Sequence, residues 1–88
     1  MSFLENIANS LGMEESLFPL PFRIMILGSK AGYFENIKSI KSYDKKEIRL
    51  AVKCGVIVVT GENLSIRKYC EGDVLVLGAI NSVKVEDD

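Results

Sequence analysis

Short runs that are apolar at every position organise the hydrophobic pattern of this chain. The runs 56–59 and 74–77 each lie between glycines, and a third run of this kind covers residues 24–27. A strand built from such a run is apolar on both faces. Over residues 47–53 the pattern instead alternates between apolar and polar, which is typical of a strand with one buried face. The dominance of β-branched residues in these segments predicts an all-β protein.

The second half of the sequence repeats itself at a spacing of seventeen residues. Gly61 superposes on Gly78, and the apolar positions around them coincide as well. In the first copy the residues 61–63 follow an apolar run and precede an alternating one, so we interpret them as a hairpin turn, like residues 71–73 between the copies. Gly78 is interpreted as a bend, because apolar residues resume directly after it.

The pattern predicts about seven short antiparallel strands in a meander that forms a small sandwich or an open barrel. A short β-solenoid is the alternative, since a repeat with glycine corners also fits stacked rungs. Turns this tight do not let the next strand run parallel in the same sheet, which favours hairpins. Residues 37–43 break the period of two, and a bulge or bend near Asn36 would explain the break. We place a helix and an acidic connector at 1–16 and a single all-β domain at 17–88.

The N-terminal segment predicts a short amphipathic helix. Ser2 and Glu5 have the spacing of a capping box, and Gly12 is a typical stop signal. A helix this short must dock on its own sheet, on a partner protein or on a membrane surface. Its polar face carries no Lys or Arg, which argues against the membrane.

Strands with two apolar faces need cover on both sides. A closed barrel or the helix would supply that cover from within the chain, whereas a partner subunit would supply it from outside. For the second case we predict a protein interface on the helix and on the two-faced runs. Its residues are Phe3, Leu4, Ile7, Leu11, Val56, Val58, Val74 and Val76.

A second candidate surface combines aromatic with basic residues. Small β-barrels bind single-stranded nucleic acid in this way, because bases stack on rings while Lys and Arg follow the phosphates. The residues of this alternative are Tyr33, Phe34, Lys38, Lys41, Tyr43, Lys45, Lys46 and Arg49. A solvated strand face with protective edge lysines explains the same pattern. The net charge of the chain is −1, so nucleic acid is not the partner we expect.

Composition argues against most catalytic chemistry. The 88 residues include two cysteines and no histidine, so a zinc site lacks ligands and a cysteine nucleophile lacks a base. Cys54 and Cys70 are therefore interpreted as structural or incidental. We expect no enzyme activity, no cofactor and no small-molecule substrate. The sequence also lacks a transmembrane run and a signal peptide, so we expect a cytoplasmic protein without direct membrane insertion.

The order of the pieces resembles the YabP/YqfC family of sporulation proteins, with the YqfC branch closer. The likeness covers a short helix followed by a Pro-containing lead-in at 17–21, the segments 23–28, 33–36, 42–44 and 48–50, the stretch 55–66, and the closing segment 78–83. The resemblance implies a non-enzymatic protein of the mother cell that is needed for spore formation, usually for coat or envelope assembly. It also implies that the protein acts by self-association or by docking on a partner such as a membrane-bound sporulation protein.

Overall fold

The computed structural model describes residues 21–87, and within this range the chain is all-β. Six strands form one sheet there, and all neighbouring strands are antiparallel. The strands are β1 (Arg23–Leu27), β2 (Ala31–Glu35), β3 (Ser39–Tyr43), β4 (Glu47–Val52), β5 (Gly55–Cys70) and β6 (Asp73–Glu86). The predicted all-β class is confirmed, with hairpins instead of solenoid rungs. The predicted N-terminal helix, with Phe3, Leu4, Ile7 and Leu11, lies outside the described residues.

The strand order in the sheet is β1-β2-β6-β5-β4-β3. The β1–β2 hairpin forms one side, the β3–β4 hairpin forms the other, and the long β5–β6 hairpin fills the centre. After β2 the chain crosses to the far side of the sheet before it begins β3. The arrangement is therefore not the simple meander that the sequence predicted.

The strands β5 and β6 are long because each continues through a bend. The register between them shifts at Thr60/Gly61 and again between Glu62 and Ser65. Residues 61–63, predicted as a hairpin turn, thus form an irregularity inside β5, and that prediction was wrong. The bend predicted at Gly78 is confirmed, since this residue adopts a φ of 134° within β6. Because β5 and β6 each join two predicted runs into one strand, the described chain has six strands where about seven were predicted.

The two bends fold the sheet into two layers. The first layer contains β1 and β2 together with residues 73–77 of β6 and 65–70 of β5. The second layer contains β3 and β4 together with residues 55–60 of β5 and 82–86 of β6. Each long strand therefore begins in one layer and ends in the other, which is the architecture of a small open sandwich.

Backbone hydrogen bonds from the hairpin turns hold both bends in place. At the bend of β5, the Gly61 N–H donates to the Lys46 carbonyl over 3.0 Å. At the bend of β6, the Gly78 N–H donates to the Lys30 carbonyl, also over 3.0 Å. A bend that leaves the regular ladder needs such partners for its backbone groups. The seventeen-residue repeat thus corresponds to two long strands that bend at equivalent glycines.

Two other predicted features are confirmed, the hairpin turn within residues 71–73 and the break near Asn36. The β5–β6 turn is the pair Glu71 and Gly72, with φ values of 53° and 85°. Two successive residues with positive φ match the twist of a two-residue hairpin. The break predicted near Asn36 is a bend in which this residue adopts a φ of 64°.

The hydrophobic core lies between the two layers. Its buried residues are Phe34, Ile37, Ile48, Leu50, Val52, Ile57, Val59, Leu64, Val74 and Val76. Both long strands contribute equivalent positions of the repeat to the core. Ile57 of β5 corresponds to Val74 of β6, and Val59 corresponds to Val76. Phe34 fills the space beside Gly32, where a Cβ atom would lie 2.9 Å from the phenyl ring. The outer faces of the two layers are left for other contacts.

Candidate protein-binding surface

The four valines of the predicted interface are buried within this chain. Val74 and Val76 belong to the core and have no exposed area. Val56 and Val58 lie on the outer side of the second layer, yet each is only 5% exposed. Side chains with so little accessible area offer a partner almost no contact, so these four valines do not by themselves form a binding surface.

The structure does not bring the predicted nucleic-acid residues together on one face. Phe34 is fully buried in the core, where no base reaches its ring. Tyr33 lies on β2 in the first layer, whereas Tyr43 lies on β3 at the far edge of the sheet. The exposed lysines follow β3 and the turns beside it and are Lys38, Lys41, Lys45 and Lys46. The aromatic rings and these lysines therefore do not form the single stacking platform that the alternative required.

Arg49, the remaining member of that set, is engaged with carboxylates on the outer face of the second layer. Its Nε donates to Glu47 Oε1 over 2.8 Å, and its Nη1 lies 3.5 Å from Glu86 Oε1. The hydrogen bond to Glu47 and the charges of both carboxylates raise the pKa of the guanidinium above its ordinary value. Arg49 is directly opposite Val58 in the β4–β5 register. The outer face of the second layer therefore carries paired charges beside Val56 and Val58.

The outer face of the first layer is apolar instead over β1, β2 and β6, and on β5 the exposed Lys68 lies opposite Leu75. Met25 on β1 is opposite Tyr33 on β2, which in turn is opposite Leu75 on β6. Directly opposite residues on antiparallel strands have Cβ atoms about 4.5–5.5 Å apart. The next such row is formed by Leu27, Ala31 and Leu77. We call the five larger side chains, Met25, Leu27, Tyr33, Leu75 and Leu77, the apolar patch.

Exposure of this patch increases towards β1, the edge strand of the first layer. Met25 is 55% exposed and Leu27 is 51% exposed, while the other three members are partly buried. The repeat relates Leu75 of the patch to Val58, whose neighbour in the second layer is Arg49. The neighbour of this repeat position is thus Arg49 on β4 in the second layer and Tyr33 on β2 in the first layer. A contiguous exposed apolar surface of this kind is a candidate contact site for another macromolecule.

Sequence reasoning identified both 24–27 and 74–77 as two-faced runs. Its candidate interface contained neither Met25 and Leu27 from the first run nor Leu75 and Leu77 from the second. The available signal was strand alternation, because Val74 and Val76 point to one side and the leucines between and after them must point to the other.

Polar pairs border the apolar patch on its side away from Leu27 and Leu77. Arg23 on β1 forms an ion pair with Glu35 on β2, with its Nε 3.0 Å from Glu35 Oε2. The Tyr33 hydroxyl donates a hydrogen bond to Asp73 Oδ2 over 3.0 Å. An apolar centre with a polar border is the usual anatomy of a protein–protein contact surface.

The Tyr33 phenol should ionise later than an ordinary tyrosine. Its hydrogen bond to Asp73, with partial burial and the negative charge of Asp73, raises its pKa above 10.0. The folded state thus holds this proton more tightly than the unfolded state does. The stabilisation is fully present below the ordinary tyrosine pKa and is lost as the pH rises through the higher folded-state value.

A phenolate absorbance titration checks this expectation. Tyr33→Phe should remove an ionisation that occurs above pH 10, and Asp73→Asn should move that ionisation to lower pH by removing the acceptor charge. Removal of a transition at or below pH 10 by Tyr33→Phe would contradict the assigned hydrogen bond.

Other potential sites are sparse in the described part of the chain. Cys54 and Cys70 are exposed free thiols. Within residues 21–87 no three or more Cys, Asp or Glu side chains converge as metal ligands would. No helix in this same range meets the length and hydropathy needed to span a bilayer.

The described chain is a small all-β protein with an apolar patch on one face. The chain belongs to the YabP family, whose family model matches residues 20–88. It is similar to a protein of Bacillus subtilis (strain 168) named "Uncharacterized protein YqfC", with 29% identity over 62 residues that cover 70% of this chain and 67% of that protein. The predicted YabP/YqfC membership is confirmed, and this membership suggests a sporulation-related protein.

Proposed function

We propose that this protein is a non-enzymatic assembly or adaptor module needed for spore formation, in the assembly of the spore coat or envelope. It acts in the cytoplasm of the mother cell by self-association or by docking on a protein partner, for which a membrane-bound sporulation protein is one candidate. The observation that carries this proposal is the apolar patch on the outer face of the first layer.

Burial of the patch would contribute favourable free energy to the binding of a partner. Complete burial of a Met or Leu side chain is worth about 1.5–3 kcal/mol, and Met25 and Leu27 are still about half exposed. Covering them therefore contributes on the order of 1 kcal/mol each, before the partly buried Tyr33, Leu75 and Leu77 are counted. The Arg23–Glu35 pair at the border can stay hydrated in such a complex. A patch of apolar side chains with one lysine, Lys68, beside it fits a protein partner better than nucleic acid, whose phosphates require several cations.

The matched pair Leu27→Ser and Val85→Ser tests this proposal in the bacterium that carries the gene. Leu27 belongs to the patch, whereas Val85 lies outside it and is similarly exposed at 49%. Both substitutions remove an aliphatic side chain from the surface and add the same hydroxyl. We expect Leu27→Ser to reduce the yield of heat-resistant spores towards that of a gene deletion, and Val85→Ser to leave the yield unchanged.

Two controls make this result interpretable. Immunoblots should show equal levels of both variant proteins, so that a defect does not arise from degradation. A gene deletion that sporulates at the normal yield would refute a role in spore formation. Equal spore yields in the two variants, both at the normal value, would refute the role of the patch.

A further inference from the structure

The two outermost strands of the sheet, β1 and β3, differ in how they are protected against pairing with another strand. The edge strand β3 contains a register shift between Ile40 and Ser42, with Lys41 between them. Bulges and lysines are common devices that keep a sheet edge from pairing. The edge strand β1 has neither, since its register with β2 is regular over all five residues and it contains no lysine or proline. The single charge of β1, on Arg23, is neutralised by Glu35.

The strand β1 is also apolar on both of its faces. Met25 and Leu27 point to the outer side with the patch. Ile26 points to the core side, opposite Gly32, but remains 44% exposed because it lies beyond the area that the second layer covers. Among residues 21–87 the strand pairs with β2 alone. A regular edge strand with exposed apolar side chains on both faces is a template for strand addition.

We propose that β1 pairs with β1 of a second copy of this protein, antiparallel and around a two-fold axis at Met25. In this register Met25 is opposite Met25 of the partner, Ile24 is opposite the partner's Ile26, and Arg23 is opposite the partner's Leu27. No charge meets a like charge, and the aliphatic part of Arg23 covers a leucine. The strand is thus complementary to itself, which is the requirement for a two-fold interface.

Strand alternation singles out this register. Opposite residues of antiparallel strands point to the same face, so a shift by one residue would place outer residues opposite core-side residues. The register centred on Met25 is the one that pairs all five residues of β1 and keeps outer faces together. It also covers Ile26 with the partner's Ile24. The result is a twelve-stranded sheet whose two apolar patches meet at the axis and form one continuous surface.

This inference goes beyond the proposed function, because it names the edge and the register of self-association. A five-residue strand pair buries less area than a standard stable interface, so the dimer is expected to be weak. Sedimentation velocity of the full-length protein over a range of concentrations should show a monomer that converts to a dimer as concentration rises.

Charge substitutions at the axis test the register. Met25→Lys places two lysines opposite each other in the dimer, and Met25→Glu places two glutamates there, so each variant alone should remain monomeric. An equimolar mixture of the two variants should dimerise again, because the mixed pair has opposite charges at the axis. Ser42→Lys adds a lysine to the β3 edge and should leave the dimer unchanged.

The outcomes separate this inference from the proposed function. A wild-type protein that stays monomeric at every concentration, a Met25→Lys variant that still dimerises, or a mixture that does not recover the dimer would each overturn the β1 pairing. Leu75→Ser changes the patch two strands away from the β1 edge. A sporulation defect in Leu75→Ser together with a monomeric wild type would leave the proposed function intact while the inference fails.

Discussion

Replacement of Phe34 by alanine is expected to lower the free energy of unfolding by about 3–5 kcal/mol, the usual cost of deleting a buried phenyl ring. Phe34 has no exposed area and is the largest buried side chain of the core. Its ring lies against Gly32, and a glycine has no side chain with which to fill the resulting cavity. Chemical denaturation followed by circular dichroism would measure the loss.

Tyr43→Ala is the matched comparison for this experiment. Both residues are aromatic, and the sequence placed both on the same nucleic-acid face. Tyr43 is exposed, and its hydroxyl accepts a hydrogen bond from the Ile66 N–H over 3.2 Å. We expect its replacement to cost about 1 kcal/mol, the value of one hydrogen bond. Similar losses in the two variants would contradict the placement of Phe34 in the core.

Replacement of Gly61 by alanine is expected to cost at least about 3 kcal/mol, at the upper end of the range for single substitutions. A Cβ atom at this position would lie 1.9 Å from the Ala79 carbonyl oxygen on β6 and 3.1 Å from Leu64 Cδ2. The strands would have to separate at the bend, where the Gly61 N–H is held by the Lys46 carbonyl. Thermal denaturation of the two proteins would show the difference.

Gly28→Ala separates this steric effect from the general cost of replacing a glycine. Gly28 lies in the β1–β2 turn with a φ of 63°, and a Cβ atom there would have no neighbour within 4 Å. Its replacement should cost about 1–2 kcal/mol from the left-handed backbone alone. If Gly28→Ala proved as damaging as Gly61→Ala, close packing at the bend would not be the cause.

The sequence was sufficient for the fold class but not for the path of the long strands. Alternation and β-branched runs predicted antiparallel strands, and the turn at Glu71 and Gly72 was predicted with them. The residues 61–63 were misread because a bulge within a strand uses the same Gly and Asn residues as a hairpin turn, and Asn63 does adopt a φ of 53°. The hydrogen bond from Gly61 to Lys46, which fixes the bend, joins separate elements and has no local signal.

The prediction of the binding surface was limited by the two-faced runs. A run that is apolar on both sides does not say which side meets the core. The predicted interface took Val56 and Val58 from one copy of the repeat and Val74 and Val76 from the other. The two pairs point to opposite faces of their strands. The repeat relates Val58 to Leu75, which lies in the apolar patch, and not to Val74 or Val76. If the repeat had been applied consistently to Val56 and Val58, it would have selected Leu75 instead of Val74 and Val76.

The most direct test of association through β1 is amide hydrogen exchange of the full-length protein at low and high concentration. The β1 pairing predicts that alternate amides within Arg23–Leu27, those that point away from β2, exchange more slowly at high concentration, because a second copy then supplies their missing hydrogen-bond partners. Amides of Ser39–Tyr43 at the opposite edge should exchange at the same rate in both samples. Unchanged exchange in β1, or new protection confined to β3, would contradict the account.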